Sequence, residues 1–149
     1  MKSAKEKVDY ARHIADGECF ACGGEVIDYG FVERFILDLP EKYGVNIIQL
    51  GFDRWNALST VQKLESDERN PIECVEIKQH SSVLHAPTKL LKEHILRNEF
   101  YYAYNRLLEI NFSNARCTED TNLNKYVHKK RSAGKVDMVV SLINAVFLL

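Results

Sequence analysis

The sequence predicts an α/β fold with a largely parallel central sheet. Helical and strand patterns alternate along the chain, in the order helix, strand, helix, strand, helix, which is typical of parallel sheets covered by helices. Residues 45–52 form a nearly continuous apolar run, as expected for a strand that is buried on both faces. With 149 residues, 46% of them hydrophobic, the chain is long enough to bury a core.

The individual elements follow from the periodicity of apolar residues and from turn residues. Asp28 is the predicted N-cap of the second helix, and Gly44 closes that helix. Residues 106–114 fit either a helix or a strand. With only two convincing buried strands, or four with the extended pair, the sheet is small for a doubly wound fold. We predict helices at 5–16, 29–42, 54–65, 87–102 and from 135 onward, strands at 45–52 and 72–77, and an extended pair at 115–130 with a turn at 120–124.

Composition limits the partners and the compartment. The formal net charge is −1, so any contact with nucleic acid must depend on a local basic patch. The longest apolar stretch, residues 138–149, contains Ser141 and Asn144 and is too short to span a bilayer. The N-terminal residues lack the apolar core of a signal peptide. We therefore expect a cytoplasmic protein that has no membrane partner.

The four cysteines do not form a recognisable site. Cys19 and Cys22 form a CxxC pair, which is typical of half a zinc site or of a redox pair. A zinc site usually needs a second close pair, whereas Cys74 and Cys117 stand alone. A redox pair would open a helix, but two glycines follow Cys22. We interpret all four as reduced thiols.

Two acidic residues lie at the ends of strongly apolar segments. Asp53 follows a predicted buried strand, at the edge of the sheet where ligands of α/β proteins bind. Asp137 lies in the first turn of the apolar C-terminal helix. Two carboxylates brought together would suit a hard divalent cation. Simpler explanations stay open, because Asp is a favoured N-cap and an acid in a first turn complements the helix dipole.

A basic segment precedes the last helix. Such a run is commonly a solvated loop, but its position just before Asp137 favours contact with DNA phosphates. The segment contains five basic residues, Lys125, Lys129, Lys130, Arg131 and Lys135.

Five short motifs occur in order between residues 10 and 147. They are Tyr10 to Glu18; Gly24-Glu25-Val26-Ile27-Asp28-Tyr29; Leu50-Gly51-Phe52-Asp53-Arg54-Trp55-Asn56-Ala57; the stretch from Lys78-Gln79 to Pro87-Thr88-Lys89; and the series Asn114, Lys129-Lys130, Lys135-Val136-Asp137. No single motif is decisive. Together, in this order and spacing, they resemble the nuclease domain of the large terminase subunit of tailed bacteriophages, in the group typified by phage HK97.

The resemblance implies an RNase H-like fold, with a mixed central sheet flanked by helices, and metal-dependent cleavage of concatemeric viral DNA during genome packaging. It implies one or two Mg²⁺ or Mn²⁺ ions. In the family pattern, Asp53 matches the acid at the end of the second metal-binding strand, and Asp137 matches the acid on the C-terminal helix. The implied partners are double-stranded DNA, the terminase ATPase domain or remaining large-subunit segment, the small terminase subunit, the portal and further copies of the chain. The implied location is the bacterial host cytoplasm, with a phage or prophage gene.

The chain departs from the family pattern at its N-terminus. The family's first acid lies on a strand upstream of the matched region, and no such strand is predicted between Met1 and Tyr10. No G-x-x-x-x-G-K-[ST] motif occurs either. We therefore predict one domain, residues 1–149, that is the C-terminal part of an N-terminally truncated nuclease domain, with the first strands missing and no ATPase domain.

Whether the chain is an enzyme stays open at this point. Because the first acid is missing from the pattern, we expect little or no cleavage by the isolated chain. The alternative is a catalytically inactive remnant or interaction module that docks with another terminase chain. A resolvase or transposase of RNase H-like fold would need the same first acid, so the missing strand counts against it equally.

Overall fold

The computed structural model describes residues 6, 8–54 and 57–149. None of the described helices is long and apolar enough to cross a membrane. In chain order the elements are α1 (Tyr10–Ala15), α2 (Tyr29–Tyr43), β1 (Gln49–Phe52), α3 (Leu58–Glu65), β2 (Glu73–Glu76), α4 (Ser81–Leu96), α5 (Arg106–Asn114), β3 (Cys117–Glu119), β4 (Lys125–Val127), a 3₁₀ turn (Lys129–Arg131) and α6 (Asp137–Phe147).

The elements divide into two compact units, each with its own small sheet. The strand unit contains residues 21–78 and Leu148, and the hairpin unit contains residues 1–20, 79–147 and Leu149. Strands β1 and β2 belong to the strand unit and are parallel, whereas β3 and β4 belong to the hairpin unit and are antiparallel. One parallel and one antiparallel pair are thus present among the described residues, in two separate two-stranded sheets and not in one central sheet.

The parallel pair of the strand unit is closely packed at Gly51. A Cβ at this position would lie 2.5 Å from Ile77 Cδ1, so a larger residue would push Ile77 away. Ile72, just before β2, and Ile77, just after it, are fully buried, and so is Leu64 of α3. Because β1 packs against this apolar core, the position of its C-terminal end is fixed.

Helices α2 and α3 are joined by a buried carboxylate. Glu33, only 7% exposed, accepts hydrogen bonds from Thr60 Oγ1 and Lys63 Nζ, each at 2.9 Å. The hydrogen bond from Lys63 is the largest influence that holds the pKa of Glu33 below its ordinary value, and Thr60 adds to it. Burial of Glu33 acts in the opposite sense but does not outweigh its partners.

In the hairpin unit, α4 packs against α6 and against β4. Leu84 and Leu91 of α4 and Val139 and Ile143 of α6 are buried, which gives this unit its apolar core. Helix α5 packs against α6 as well. Helices α5 and α6 are thus both held in place by packing within the hairpin unit.

Asp120 closes the turn between β3 and β4. Its carboxylate accepts hydrogen bonds from Asn122 N at 2.8 Å and from Asn124 N at 2.9 Å and Nδ2 at 3.0 Å. It also accepts one from Ser81 Oγ at 2.5 Å, which ties the turn to the start of α4. These hydrogen bonds, that of Ser81 foremost, hold the pKa of Asp120 well below its usual range.

Helix boundaries differ most from prediction at α4. This helix was expected at 87–102, but it begins at Ser81 and ends at Leu96. His80 is its N-cap, with Nδ1 accepting from Ser82 N at 3.3 Å, and Pro87 lies inside the helix. Proline lacks an N–H, yet Pro87 is buried, so tertiary packing outweighs the missing hydrogen bond.

Candidate metal and nucleic-acid site

Asp53 directly follows β1 and is exposed. Ile77 N donates a hydrogen bond to Phe52 O at 2.8 Å. The pairing of β1 with the β2 segment therefore extends to Phe52, the residue before Asp53. The helix that follows has Ala57 at its N-cap, so the interpretation of Asp53 as an ordinary N-cap is wrong. Among the residues that the structure describes, no hydrogen-bond or ion-pair partner is found for the Asp53 carboxylate. Trp55 and Asn56 of the same motif lie outside those residues.

Asp137 is the first residue of α6, and a neighbouring helix fixes its position. Asn111 of α5, only 4% exposed, accepts a hydrogen bond from Met138 N at 3.2 Å through Oδ1. Its Nδ2 donates to Leu107 O at 2.9 Å, which fixes the orientation of the amide. Asn111 therefore satisfies a free N–H of the first turn of α6, as a capping residue would. Val136 is buried and anchors the chain just before Asp137.

Asn114 holds the turn that leads into α6. Its Nδ2 donates to Lys135 O at 3.1 Å, and its backbone carbonyl accepts from Ala133 N at 2.9 Å. A Cβ at Gly134 would lie 2.7 Å from Asn114 Nδ2, so the absence of a side chain permits this close approach. Asn111 and Asn114 are three residues apart on one helical face, a spacing that could have indicated their shared role.

The charge of Asp137 acts on two neighbouring side chains. Lys129 Nζ lies 3.2 Å from Asp137 Oδ1, and 62% of the Asp137 side chain is exposed. Burial raises the pKa of Tyr10 to about 12, with further contributions from its hydrogen bond to Glu6 and from the charges of Glu6 and Asp137. The Tyr10 phenol therefore stays protonated beside two acids.

The basic segment is partly neutralised by acidic side chains. Lys125 pairs with Glu119 at 3.2 Å, and Lys135 pairs with Glu6 at 3.5 Å, besides the pair of Lys129 with Asp137. Lys130 and Arg131 are exposed and have no acidic partner among the described residues. The net positive charge of the segment is therefore concentrated on the 3₁₀ turn.

An open groove lies beside this turn. Its volume is about 350 Å³, and Tyr126, His128, Lys129 and Lys130 contribute to its lining. The Tyr126 and His128 rings lie 5.6 Å apart, and His128 Nδ1 is buried without a hydrogen-bond partner in the described structure. Lys130, which has no acidic partner among the described residues, therefore lines the same groove as the Tyr126 and His128 rings.

Asp53 and Asp137 belong to different units, and each is positioned by contacts within its own unit. Their carboxylate oxygens are the ligand type that Mg²⁺ and Mn²⁺ prefer, so the donors fit such an ion in kind. Within the described residues, no cluster of three or more His, Cys, Asp or Glu side chains is arranged to hold a metal. Each unit therefore offers one exposed carboxylate at the end of an ordered element.

The cysteines do not belong to a metal-binding cluster among the described residues. All four are free thiols. Cys22 Sγ donates to Asp28 O at 3.1 Å. Burial raises the pKa of the Cys19 and Cys74 thiols, which makes them less reactive near neutral pH.

Comparison with known proteins gives two matches. The family described as "Terminase large subunit, endonuclease domain" matches residues 1–149. Among solved structures, the large terminase of bacteriophage HK97 is similar, with a TM-score of 0.87 and 18% sequence identity over 99% of this chain. The chain spans 30% of the length of that protein. No curated protein matches. The predicted α/β, RNase H-like fold class is confirmed by this structural likeness.

Proposed function

Because the chain belongs to the family of endonuclease domains of the large terminase subunit, we propose that it cleaves concatemeric double-stranded viral DNA during genome packaging. The reaction is metal-dependent hydrolysis of phosphodiester bonds. The observation that carries this proposal is the family match over residues 1–149, together with exposed carboxylates at both matched acid positions, Asp53 and Asp137.

Asp53 and Asp137 are the proposed ligands of one or two Mg²⁺ or Mn²⁺ ions. When bound, such an ion lowers the pKa of a coordinated water and neutralises charge on the phosphate. Asp53 offers a carboxylate with no partner to displace among the described residues. Asp137 has to exchange its ion pair with Lys129 for the metal, and the exposure of both side chains makes that exchange inexpensive.

The basic segment is the proposed binding surface for DNA. Lys130 and Arg131 provide the free positive charge, and Lys125, Lys129 and Lys135 add charges that are partly offset by their acidic partners. Contacts of this kind hold the phosphate backbone and carry no sequence information. We therefore propose binding that is salt-sensitive and independent of sequence.

The proposed partners follow from the family. They are the terminase ATPase domain or another large-subunit segment, the small terminase subunit, the portal and further copies of the chain. The proposed location is the cytoplasm of the bacterial host.

A second candidate function is an inactive docking module. The observation that favours it is the parallel sheet, in which β1 and β2 each have an unpaired edge within the described part of the chain. Unpaired edges can accept a strand from another chain. In this reading the protein docks with another terminase chain and does not cleave DNA.

The test is cleavage of supercoiled plasmid DNA with Mg²⁺ or Mn²⁺, with EDTA as a metal-free control. Cleavage by the unmodified chain should be slow, as its sequence pattern led us to expect. Asp53→Asn and Asp137→Asn should each lower that slow rate by about 100-fold or more, because even residues that only support metal ligands contribute about 10–100-fold. Asp38→Asn is the matched control, since Asp38 lies on α2, away from both matched acid positions in the sequence. Equal rates in all variants would overturn the assignment of both acids. DNA binding with no cleavage by the unmodified chain would favour the docking module.

A further inference from the structure

A second cavity lies in the hairpin unit, between α4 and the β3–β4 hairpin. Its volume is about 470 Å³. Helix α4 contributes His85, Thr88, Lys89 and Lys92 to the lining, and the hairpin contributes Glu119 and Lys125. We propose that this cavity is a binding site for a phosphate group.

The lining is strongly positive for a chain whose net charge is −1. Three lysines face one glutamate, and that glutamate pairs with Lys125 at 3.2 Å. Lys89 has a distant pair with Glu93 at 3.9 Å, and Lys92 has no acidic partner among the described residues. Lys89 and Lys92 are three residues apart and therefore share one face of α4. An anion in the cavity is therefore close to Lys89 and Lys92, whose charges are at most weakly paired with acidic side chains of the described residues.

Thr88 supplies a second, independent observation. The residue is 8% exposed and lines the cavity, and its hydroxyl oxygen is buried with no hydrogen-bond partner in the described structure. A buried hydroxyl without a partner costs free energy. Protein atoms cover this oxygen, so a ligand in the cavity reaches it only when the Thr88 side chain turns about χ1. Hydroxyl and ammonium donors together are the groups that proteins use to hold phosphate oxygens.

The cavity is also held in shape by hydrogen bonds between its two walls. Lys125 N donates to His85 Nδ1 at 2.8 Å, and Ser81 Oγ donates to Asp120 Oδ2 at 2.5 Å. Because Nδ1 of His85 accepts a hydrogen bond, its proton lies on Nε2, which remains a donor. A fixed arrangement of donors lowers the entropy that a ligand loses on binding.

The phosphate has two chemical sources, the backbone of DNA and a free nucleotide or inorganic phosphate. The DNA source rests on the proposed function, whereas the phosphate site itself does not. A backbone phosphate held here would give the protein a contact with DNA in addition to Lys130 and Arg131.

The experiment is titration of the isotope-labelled chain with inorganic phosphate, followed by amide chemical shifts. Shifts should concentrate in residues 85–92 and 117–125. The double variant Lys89→Gln, Lys92→Gln should raise the Kd by about tenfold or more, because it removes two charge-assisted interactions. Thr88→Val should weaken binding as well. Arg97→Gln, at the exposed C-cap of α4, is the matched control and should leave the Kd unchanged. Equal affinity in the double variant, or shifts elsewhere, would overturn the proposal.

A parallel titration with a short DNA duplex separates the two sources. If the backbone is the ligand, the duplex shifts the same amides and inorganic phosphate competes with it. If the duplex leaves these amides unshifted, the DNA source is overturned and the free anion is the ligand. Asp137→Asn should bind phosphate normally, so failure of the nuclease assignment and failure of this site give different results.

Discussion

The side chains of Lys129 and Asp137 form an ion pair, with Nζ 3.2 Å from Oδ1. The pair connects two proposed roles, since Lys129 belongs to the DNA-binding segment and Asp137 is a proposed metal ligand. More than half of each side chain is exposed. Exposed pairs contribute about 0–1 kcal/mol, so Lys129 competes with a divalent cation for Asp137 but does not exclude it.

Replacing Lys129 should therefore strengthen metal binding at Asp137. We expect Lys129→Gln to raise the affinity for Mn²⁺ by up to about fivefold, which corresponds to the upper value for an exposed pair. Paramagnetic broadening of the amide signals around Asp137 measures this affinity. Lys130→Gln is the control, because Lys130 is adjacent but has no acidic partner among the described residues, and its effect should be smaller. A weaker affinity in Lys129→Gln would mean that the lysine supports the carboxylate geometry.

Free and paired cations should differ in their contribution to DNA binding. The double variant Lys130→Ala, Arg131→Ala should reduce the slope of log affinity against log salt by about 0.9 for each phosphate that the protein no longer neutralises. Lys135→Ala should reduce the slope less, because Lys135 already pairs with Glu6. Fluorescence anisotropy with a labelled duplex at several salt concentrations gives these slopes. An unchanged slope in the double variant would mean that the 3₁₀ turn is solvated and does not contact DNA phosphates.

Local signals explain which helix boundaries could be predicted. Asp28 caps α2, with its Oδ1 accepting from Phe31 N at 3.1 Å, and Gly44 ends that helix with a φ of 63°. Both features depend on residues close in sequence. The start of α4 was missed because its N-cap is His80, an unusual capping residue, and because Pro87 is accommodated inside the helix.

In the candidate site, too, the features that depend on residues close in sequence were predicted, and those that depend on tertiary contacts were not. The apolar runs around Asp53 and Asp137 predicted a strand end and a first helical turn, which are local properties. The capping of α6 by Asn111 and the pairing of Lys135 with Glu6 depend on contacts between distant parts of the chain. The turn at 120–124 was predicted from local residues, whereas the hydrogen bond that ties its Asp120 to Ser81 of α4 depends on the tertiary fold.

Glu33 should make stability depend on pH. Its folded-state pKa is lowered, first by the hydrogen bond from Lys63 and then by that from Thr60. A group with a lowered folded pKa stabilises the protein fully above its unfolded-state pKa, and this stabilisation is lost as the pH falls through the folded value. We therefore expect Glu33→Gln to lower the free energy of unfolding by about 1.5–3 kcal/mol at pH 7, the typical value of hydrogen bonds to a charged group.

The measurement for Glu33 is urea unfolding at neutral and at acidic pH. The difference between Glu33→Gln and the unmodified chain should shrink once the pH is below the lowered pKa of Glu33. Glu41→Gln, on the exposed face of the same helix, is the control and should have little effect at either pH. A destabilisation that is equal at both pH values would mean that packing, not the charge, explains the role of Glu33.

Two buried threonines should respond in opposite directions to the same substitution. The Thr88 hydroxyl is buried without a partner in the described structure, so Thr88→Val removes an unsatisfied polar group and should raise the free energy of unfolding by about 1 kcal/mol. The Thr60 hydroxyl donates to Glu33 Oε1 at 2.9 Å, so Thr60→Val leaves a buried carboxylate short of a donor and should lower stability by about 1–3 kcal/mol. Urea unfolding without phosphate measures both. If Thr88→Val is destabilised as much as Thr60→Val, the Thr88 hydroxyl has a partner in solution, and its unused hydrogen-bonding capacity no longer supports the phosphate site.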